Sequence, residues 1–261
     1  GRLDATNVVA QPRLCLITPV SMDHESYLGD TLARIAFEKA GILKPGVPAV
    51  VGPQHPEAQA VIAARAAELA APLLLHGRDW RAVASPGGLV LETGGGELAL
   101  PRPSLPGTHQ VENAGLAAMA ALQLDEPGID RAAIGRGLAR AAWPARLQRL
   151  QAGPAVALVA PGSRVWLDGG HNPAAGRVLA QSLLQLARGR ALHLVVGMLT
   201  TKDLAQFLEP LLPLAASIRF VPVPGEALGR DPEDSAAIAR RLGASSAGAV
   251  SVEDAVAAVA A

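Results

Sequence analysis

The sequence predicts an α/β protein built as two consecutive units. Three observations carry this expectation. Short apolar runs alternate with helix-patterned stretches along the chain, the order that builds parallel sheets. The alternation breaks at Trp143-Pro144-Ala145-Arg146, where a proline ends a helical pattern and strand-like segments follow at once. Asp168-Gly169-Gly170-His171-Asn172-Pro173 then forms a glycine-rich turn between an apolar run and a helix start. The expected units are 1–143 and 144–261.

The first unit opens with a buried strand over 14–18 and a polar loop over 19–29. Asp30 is placed to cap a helix running to about Ala40, with Leu32, Ile35, Ala36 and Lys39 at helical spacing. Gly41 and Pro45 end it. A strand over 48–52, an alanine-rich helix over 56–71 and a strand over 73–75 complete the alternation. Strands over 88–93 and 97–100, joined through Gly94-Gly95-Gly96, predict a hairpin. After a proline-rich connector, Thr108 and Asp130 are candidate caps for helices reaching about Leu122 and Ala142.

The second unit predicts strands over 156–159, 165–167, 192–196 and 218–221. Helices are expected over 174–187, 203–212 and 233–242, with a last one from Val252. This second βα alternation is Rossmann-like. A doubly wound sheet often carries one more strand after such a helix, so a shortened C-terminus is expected.

Composition narrows the function. Half of the 261 residues are apolar, which supplies a sizeable core, and the 23 basic residues balance the 23 acidic ones. That balance gives no electrostatic basis for binding nucleic acid or an anionic membrane. No apolar run approaches the ~18–20 residues of a membrane span. The single cysteine, Cys15, sits in an apolar strand and has neither a disulfide partner nor a CxxC neighbour. A reduced, cytoplasmic setting is expected.

Four segments carry candidate chemistry. At Asp168–Pro173, Asn172 suits an N-cap and Pro173 the first helical position. Asp168 and His171 therefore lie beside a helix start whose free N–H groups favour anions. A phosphate-handling site and a plain capped turn both fit. His24 follows a strand end, where open α/β sheets place ligands; it reads as a metal ligand or as a surface histidine. Lys39 reads as a snorkelling helix residue or as a lysine held near a metal. Asn113 lies one turn into a helix, placed for a nucleotide contact or for solvent. Arg146, at the expected hinge, is placed to clamp phosphate bidentately, or is simply solvated.

Taken in order, these segments are more specific than any one alone. The series runs Leu3-Asp4-Ala5-Thr6-Asn7, Ser21-x-Asp23-His24-x-x-x-Leu28-Gly29, Glu38-Lys39-Ala40-Gly41-Ile42 and His109-Gln110-x-x-Asn113-Ala114. It continues through Trp143-Pro144-x-Arg146-Leu147, Asp168-Gly169-x-His171-Asn172-Pro173 and Gly197-Met198-Leu199-x-x-Lys202-Asp203. The series resembles the folylpolyglutamate synthase/dihydrofolate synthase family, a branch of the Mur ligase superfamily.

The resemblance implies the remainder of a P-loop-type central ATPase domain over 1–143, followed by a Rossmann-like C-terminal glutamate-ligase domain over 144–261. It implies a monomeric ATP- and Mg2+-dependent ligase that adds L-glutamate to dihydropteroate or a folate through an acyl phosphate. Carried over residue by residue, Leu3, Asp4 and Ala5 would line the pterin-substrate site and His24 would bind magnesium. Lys39 would be carbamylated and, with His171, catalytic. Asn113, Arg146, Asp168 and His171 would bind ATP, the last three from the hinge and C-terminal domain as one jaw of an interdomain clamp.

Three departures stand out. Ala145 replaces a usual glycine, and Gly170 a usual alanine; both are expected to matter little. No Gly-x-x-x-x-Gly-Lys-Ser/Thr occurs in these residues. The family's phosphate loop and an acidic magnesium ligand lie upstream of the Leu-Asp-Ala-Thr-Asn segment, so the chain is expected to be a fragment that is inactive alone. A cell-wall Mur-type ligase and a non-catalytic nucleotide-binding remnant are the alternatives.

Overall fold

The structure is a computed structural model that describes residues 2–5, 7–22 and 28–260. The chain divides into two compact units, Gly1–Ala142 and Trp143–Ala261.

In the first unit, strands β1 (Cys15–Ile17), β2 (Ala49–Val51) and β3 (Leu73–Leu75) form a parallel sheet in that order, with Cys15 opposite Ala49 and Ala49 opposite Leu73. All of β2 is buried, as a central parallel strand must be. Helices α1 (Leu32–Ala40) and α2 (Pro56–Glu68) pack on each other and supply Ile35, Ala36, Ile62 and Ala66 to the interior. The cap of α1 is Thr31, whose side chain accepts from the Arg34 N–H, and not Asp30. Asp30 instead pairs with Arg34 at 3.0 Å on the surface.

An antiparallel sheet follows: β4 (Trp80–Ser85), β5 (Gly88–Thr93) and β6 (Gly96–Pro101). The β5–β6 hairpin is the one the glycine run signals, whereas β4 has no such signal in the sequence. Its pattern, Trp-Arg-Ala-Val-Ala-Ser, is too rich in alanine to read as a strand. Helix α3 (His109–Leu124) lies against β4 and β5, so close at Gly115 that a Cβ there would overlap the Ala82 side chain. Helix α4 (Arg131–Arg140) is capped by Asp130, whose carboxylate accepts from the Ala133 N–H at 2.7 Å. Trp80, Leu89, Leu91, Leu116 and Met119 form one core; Cys15, Ile17, Ile62 and Leu75 belong to a second.

The second unit starts with an antiparallel pair, β7 (Gln148–Leu150) and β8 (Val165–Leu167). The segment expected as a strand over 156–159 is helical instead, as the short α5 (Pro154–Ala157). Pro154 at its first position fixes a helical φ and outweighs the β propensity of the valines. Helix α6 (Pro173–Ala187) leads to a parallel sheet in the order β11-β10-β9, made of β9 (Leu192–Val196), β10 (Ala215–Phe220) and β11 (Ser246–Gly248). The helix expected over 203–212 is the shorter α7 (Leu204–Leu208), followed by a 3-10 turn over Leu212–Leu214. Helices α8 (Pro232–Arg241) and α9 (Val252–Ala260) complete the unit. Its core contains Leu183, Phe207, Leu208, Leu211, Ile218 and Phe220. At Gly176 of α6, a Cβ would overlap the Phe207 carbonyl oxygen, so glycine is required for the α6–α7 approach.

Candidate functional site

The predicted residues of the second unit meet at one turn. Strand β8 ends at Leu167, and Asp168 turns its half-buried carboxylate back onto the chain. Its Oδ1 accepts from the Gly170 N–H at 2.8 Å and its Oδ2 from the Leu147 N–H at 2.8 Å. The Gly169 N–H in turn donates to the Ala145 carbonyl at 2.9 Å. The turn after β8 and the segment 145–147 are thus stitched together by three hydrogen bonds.

That stitching holds an unfavourable backbone. Ala145 has φ +54° and Leu147 φ +44°, both in the left-handed region where a Cβ crowds the following carbonyl. The two residues flank Arg146. Leu147 is buried in the core, while Arg146 is exposed, with its Nη1 donating to the Ala145 carbonyl at 3.2 Å. Backbone strain of this kind persists where the surroundings over-determine it. It also gives the Ala145 departure a physical consequence that the sequence alone does not reveal: glycine adopts this φ freely and alanine does not.

His171 is exposed, and its Nδ1 lies 2.9 Å from the Gly169 carbonyl oxygen. A carbonyl can only accept, so Nδ1 carries the hydrogen and Nε2 is left as acceptor in the neutral ring. Asn172 caps α6, its Oδ1 accepting from the Ala175 N–H at 2.8 Å, and Pro173 occupies the first helical position. Asp168 still has acceptor capacity, because a carboxylate offers about four lone-pair sites and two are used. The turn therefore presents a guanidinium, an imidazole, a carboxylate and a helix N-terminus, a set suited to a phosphorylated ligand with hydroxyl groups.

In the first unit, the structure brings the Leu3–Ala5 segment to the C-terminal end of α1, where Lys39 sits. The Arg2 N–H donates to the Glu38 carbonyl at 2.8 Å, and its guanidinium pairs with the Glu38 carboxylate at 3.1 Å. Asn7 Nδ2 donates to the Gly41 carbonyl at 3.3 Å. These donors bind carbonyls at the end of the helix, where the regular hydrogen-bond pattern stops. Gly41 has an ordinary helical φ of −63°, but a Cβ on it would sit 2.8 Å from Arg2 Cα, so this glycine is required by packing. Leu3 is held out at 82% exposure, with Asp4, Ala5 and Lys39 also exposed. Lys39 is exposed, as a snorkelling lysine is. Asn113 is exposed on the first turn of α3, its Nδ2 donating to Oε1 of the buried Gln110 at 3.2 Å. Gln110 Nε2 lies 2.9 Å from His109 Nε2. Gln110 and His109 support Asn113 and were not singled out from sequence as its partners.

His24 lies outside the described residues. Among the described residues, no group of three or more His, Cys, Asp or Glu side chains is arranged to hold a metal ion. No helix among them is long and apolar enough to cross a membrane.

One further residue of the second unit lies after a strand end. Lys202 lies on the loop between β9 and α7, immediately before Asp203, which caps α7 through the Gln206 N–H at 2.9 Å. Helix α7 packs against α6, with Phe207 facing both Gly170 and Gly176. The signal was the Lys-Asp pair after a strand end, a position where open α/β sheets place ligands.

The chain is similar to known proteins over most of its length. Residues 146–261 match the family model described as Mur ligase, glutamate ligase domain. The dihydrofolate synthase/folylpolyglutamate synthase of Bacillus subtilis is 35% identical over 251 residues, which is 92% of this chain and 56% of that protein. The structure of Escherichia coli FolC in complex with DHPP and ADP superposes with a TM-score of 0.84 at 31% identity, covering 99% of this chain and 57% of that one. The bifunctional folylpolyglutamate synthase/dihydrofolate synthase of Yersinia pestis, complexed with AMPPNP and Mn ion, gives a TM-score of 0.80 at 34% identity, covering 98% and 57%. The chain thus spans a little over half the length of these relatives.

Proposed function

Because the chain belongs to the folylpolyglutamate synthase/dihydrofolate synthase family of Mur ligases, we propose that it is the part of an ATP-dependent ligase that holds the nucleotide through Arg146, Asp168 and His171 and joins L-glutamate to dihydropteroate or a folate. The observation that carries this reading is the stitched turn, in which Asp168 binds the backbone of Leu147 and Gly170 and leaves Arg146 and His171 exposed.

The chemistry follows from the groups present. A carboxylate oxygen is a poor leaving group, and transfer of a phosphoryl group to it makes it a good one, so the amine of glutamate can then form the amide. ATP supplies that phosphoryl group when bound. Arg146 neutralises phosphate charge with a planar fork, and in a preorganised position it does so without reorganisation cost. Asp168 keeps two acceptor sites for ribose hydroxyls. His171, fixed by the Gly169 carbonyl, offers Nε2 as an acceptor for a proton. On the first unit, Leu3, Asp4 and Ala5 contact the pterin substrate, Asn113 contacts the nucleotide, and Lys39 takes up carbon dioxide as a carbamate. The exposure of Lys39 fits that role, since carbamylation needs access to dissolved carbon dioxide. The assignment of magnesium to His24 rests on the resemblance.

The proposed enzyme is a monomeric cytoplasmic protein, and the 261 residues by themselves do not turn over. They contain no Gly-Lys-Ser/Thr loop to cradle the β- and γ-phosphates. Two measurements test the reading. Calorimetry should show ADP binding that Arg146→Ala weakens at least tenfold; unchanged affinity would remove Arg146 from the site. Glutamate-dependent ADP formation with dihydropteroate should be absent from the isolated chain, and turnover at an ordinary enzymic rate would overturn the need for a phosphate loop. Competition between a folate and a UDP-muramyl peptide separates this reading from a cell-wall ligase.

A further inference from the structure

Arg230 has no role in the site described so far, yet its side chain and backbone tie two loops of the second unit together. It ends the loop that follows β10, directly before Asp231, the cap of α8. That loop lies along the one that follows β9. The Arg230 N–H donates to the Met198 carbonyl at 2.9 Å, and the Thr200 N–H donates to the Leu228 carbonyl at 2.8 Å. Leu199 and Gly229 form an antiparallel bridge between them. The Arg230 side chain then reaches past this ladder. Its Nη2 donates to the carbonyls of Thr200 at 3.3 Å and Lys202 at 3.2 Å. Its Nε is buried without a hydrogen-bond partner among the described residues.

A guanidinium is an expensive group to place there if the aim were only to close a loop. The residue is half-buried, and leaving its buried Nε donor unsatisfied opposes folding. What the side chain provides is one Nη2 amino group that donates to two carbonyls at once, with the rigid plane of the guanidinium fixing its direction. The carbonyls it holds are those of Lys202 and of the residue two before it. The loop continues into Asp203 and α7, whose Phe207 packs against Gly170 of the nucleotide-binding turn.

We propose that Arg230 is a positioning residue, which fixes the 198–202 loop so that Lys202 meets the anionic oxygens of the phosphoryl group being transferred. This rests on the ligase reading above. Arg230 does not touch substrate; it acts through the backbone of Lys202. The Lys202 cation is thereby held in place before any ligand arrives, and its charge costs no ordering when the phosphate binds.

The test uses the chain's own lysines, which are Lys39, Lys44 and Lys202. Reductive methylation with 13C-formaldehyde gives each a separate dimethylamino NMR signal, and Lys202→Arg identifies the one of interest. In the unsubstituted chain the Lys202 signal should be displaced from the free-lysine position and should shift on titration with inorganic phosphate. Arg230→Met should move it to the free-lysine position and reduce its phosphate response at least fivefold, with Arg230→Lys intermediate. Amide exchange at Thr200 should rise in parallel, while exchange in the β9–β11 core reports that the unit remains folded. A Lys202 signal and phosphate response unchanged in Arg230→Met would overturn the proposal. If Arg230→Met does not fold, Arg230→Lys decides by the same two readouts. A Lys202 signal displaced by Arg230 but indifferent to phosphate would overturn the substrate role of the loop, and ADP binding at Arg146 would still test the ligase reading separately.

Discussion

The two places where predicted site residues gather are built in opposite ways. At Asp168, the functional side chain is itself the scaffold: its carboxylate binds the backbone N–H groups of Gly170 and of the left-handed Leu147. At Leu3–Ala5, the scaffold is made by neighbours. Arg2 and Asn7 cap the end of α1, and Leu3, Asp4, Ala5 and Lys39 are left exposed. The difference teaches where function and stability are separable. Changing Asp168 cannot affect ligand binding alone, whereas Lys39 or Leu3 can be changed with little effect on the fold.

The largest effect expected from this contrast is at Asp168→Ala. It leaves the N–H of buried Leu147 without an acceptor and releases a strained loop, at a cost of about 3 kcal/mol. Urea denaturation should show it in the second unit, and Lys39→Ala should shift the midpoint hardly at all. Equal losses from both would remove the contrast.

Ala145→Gly sharpens it in the other direction. Glycine relieves the left-handed φ of Ala145, and stabilisation of about 1 kcal/mol is expected. A thermal melt that stays put or falls would show that the alanine is not strained.

Glu38→Gln should cost less, about 0.2–1 kcal/mol, because the Arg2 pair is a surface ion pair. The loss should shrink in high salt, and the Arg2 N–H, still bonded to the Glu38 carbonyl, should keep much of its protection from exchange.

The smallest effect is a pH dependence confined to the first unit. Burial lowers the His76 pKa below 6.5, against the opposing pull of Glu112; the ring packs edge-on to Trp80 at 5.0 Å. The unfolded chain therefore takes up the proton more readily than the folded one. Stability is full above pH 6.5 and falls as the pH drops from there through the folded-state pKa. His76→Gln should flatten that limb in a titration of unfolding midpoints.

Much of this was legible from local patterns. β3 and β9 lie where their apolar runs place them, and α6 starts at the Asn172-Pro173 signal, because capping and periodicity are short-range properties. Strand β4 was not legible, since alanine-rich strands gain their stability from tertiary packing against α3. The segment after Gly153 departs from its strand-like pattern because a single proline outweighs its valines. In the site, the order of motifs pointed to Arg146, Asp168 and His171, but nothing local tied Asp168 to Leu147, 21 residues earlier.

By itself, then, the sequence determined the βα alternation, the break near Trp143, the Asp-Gly-x-His-Asn-Pro helix start and the family resemblance, all of which depend on neighbours in the chain. Only the tertiary structure decided that Asp168 spends half its acceptors on the backbone. Only it showed that Ala145 has a left-handed φ, that Gly41 and Gly176 are packing glycines, and that Arg230 binds the carbonyls of Thr200 and Lys202. Those outcomes depend on hydrogen bonds and contacts between residues far apart in sequence, whose partners no local pattern names.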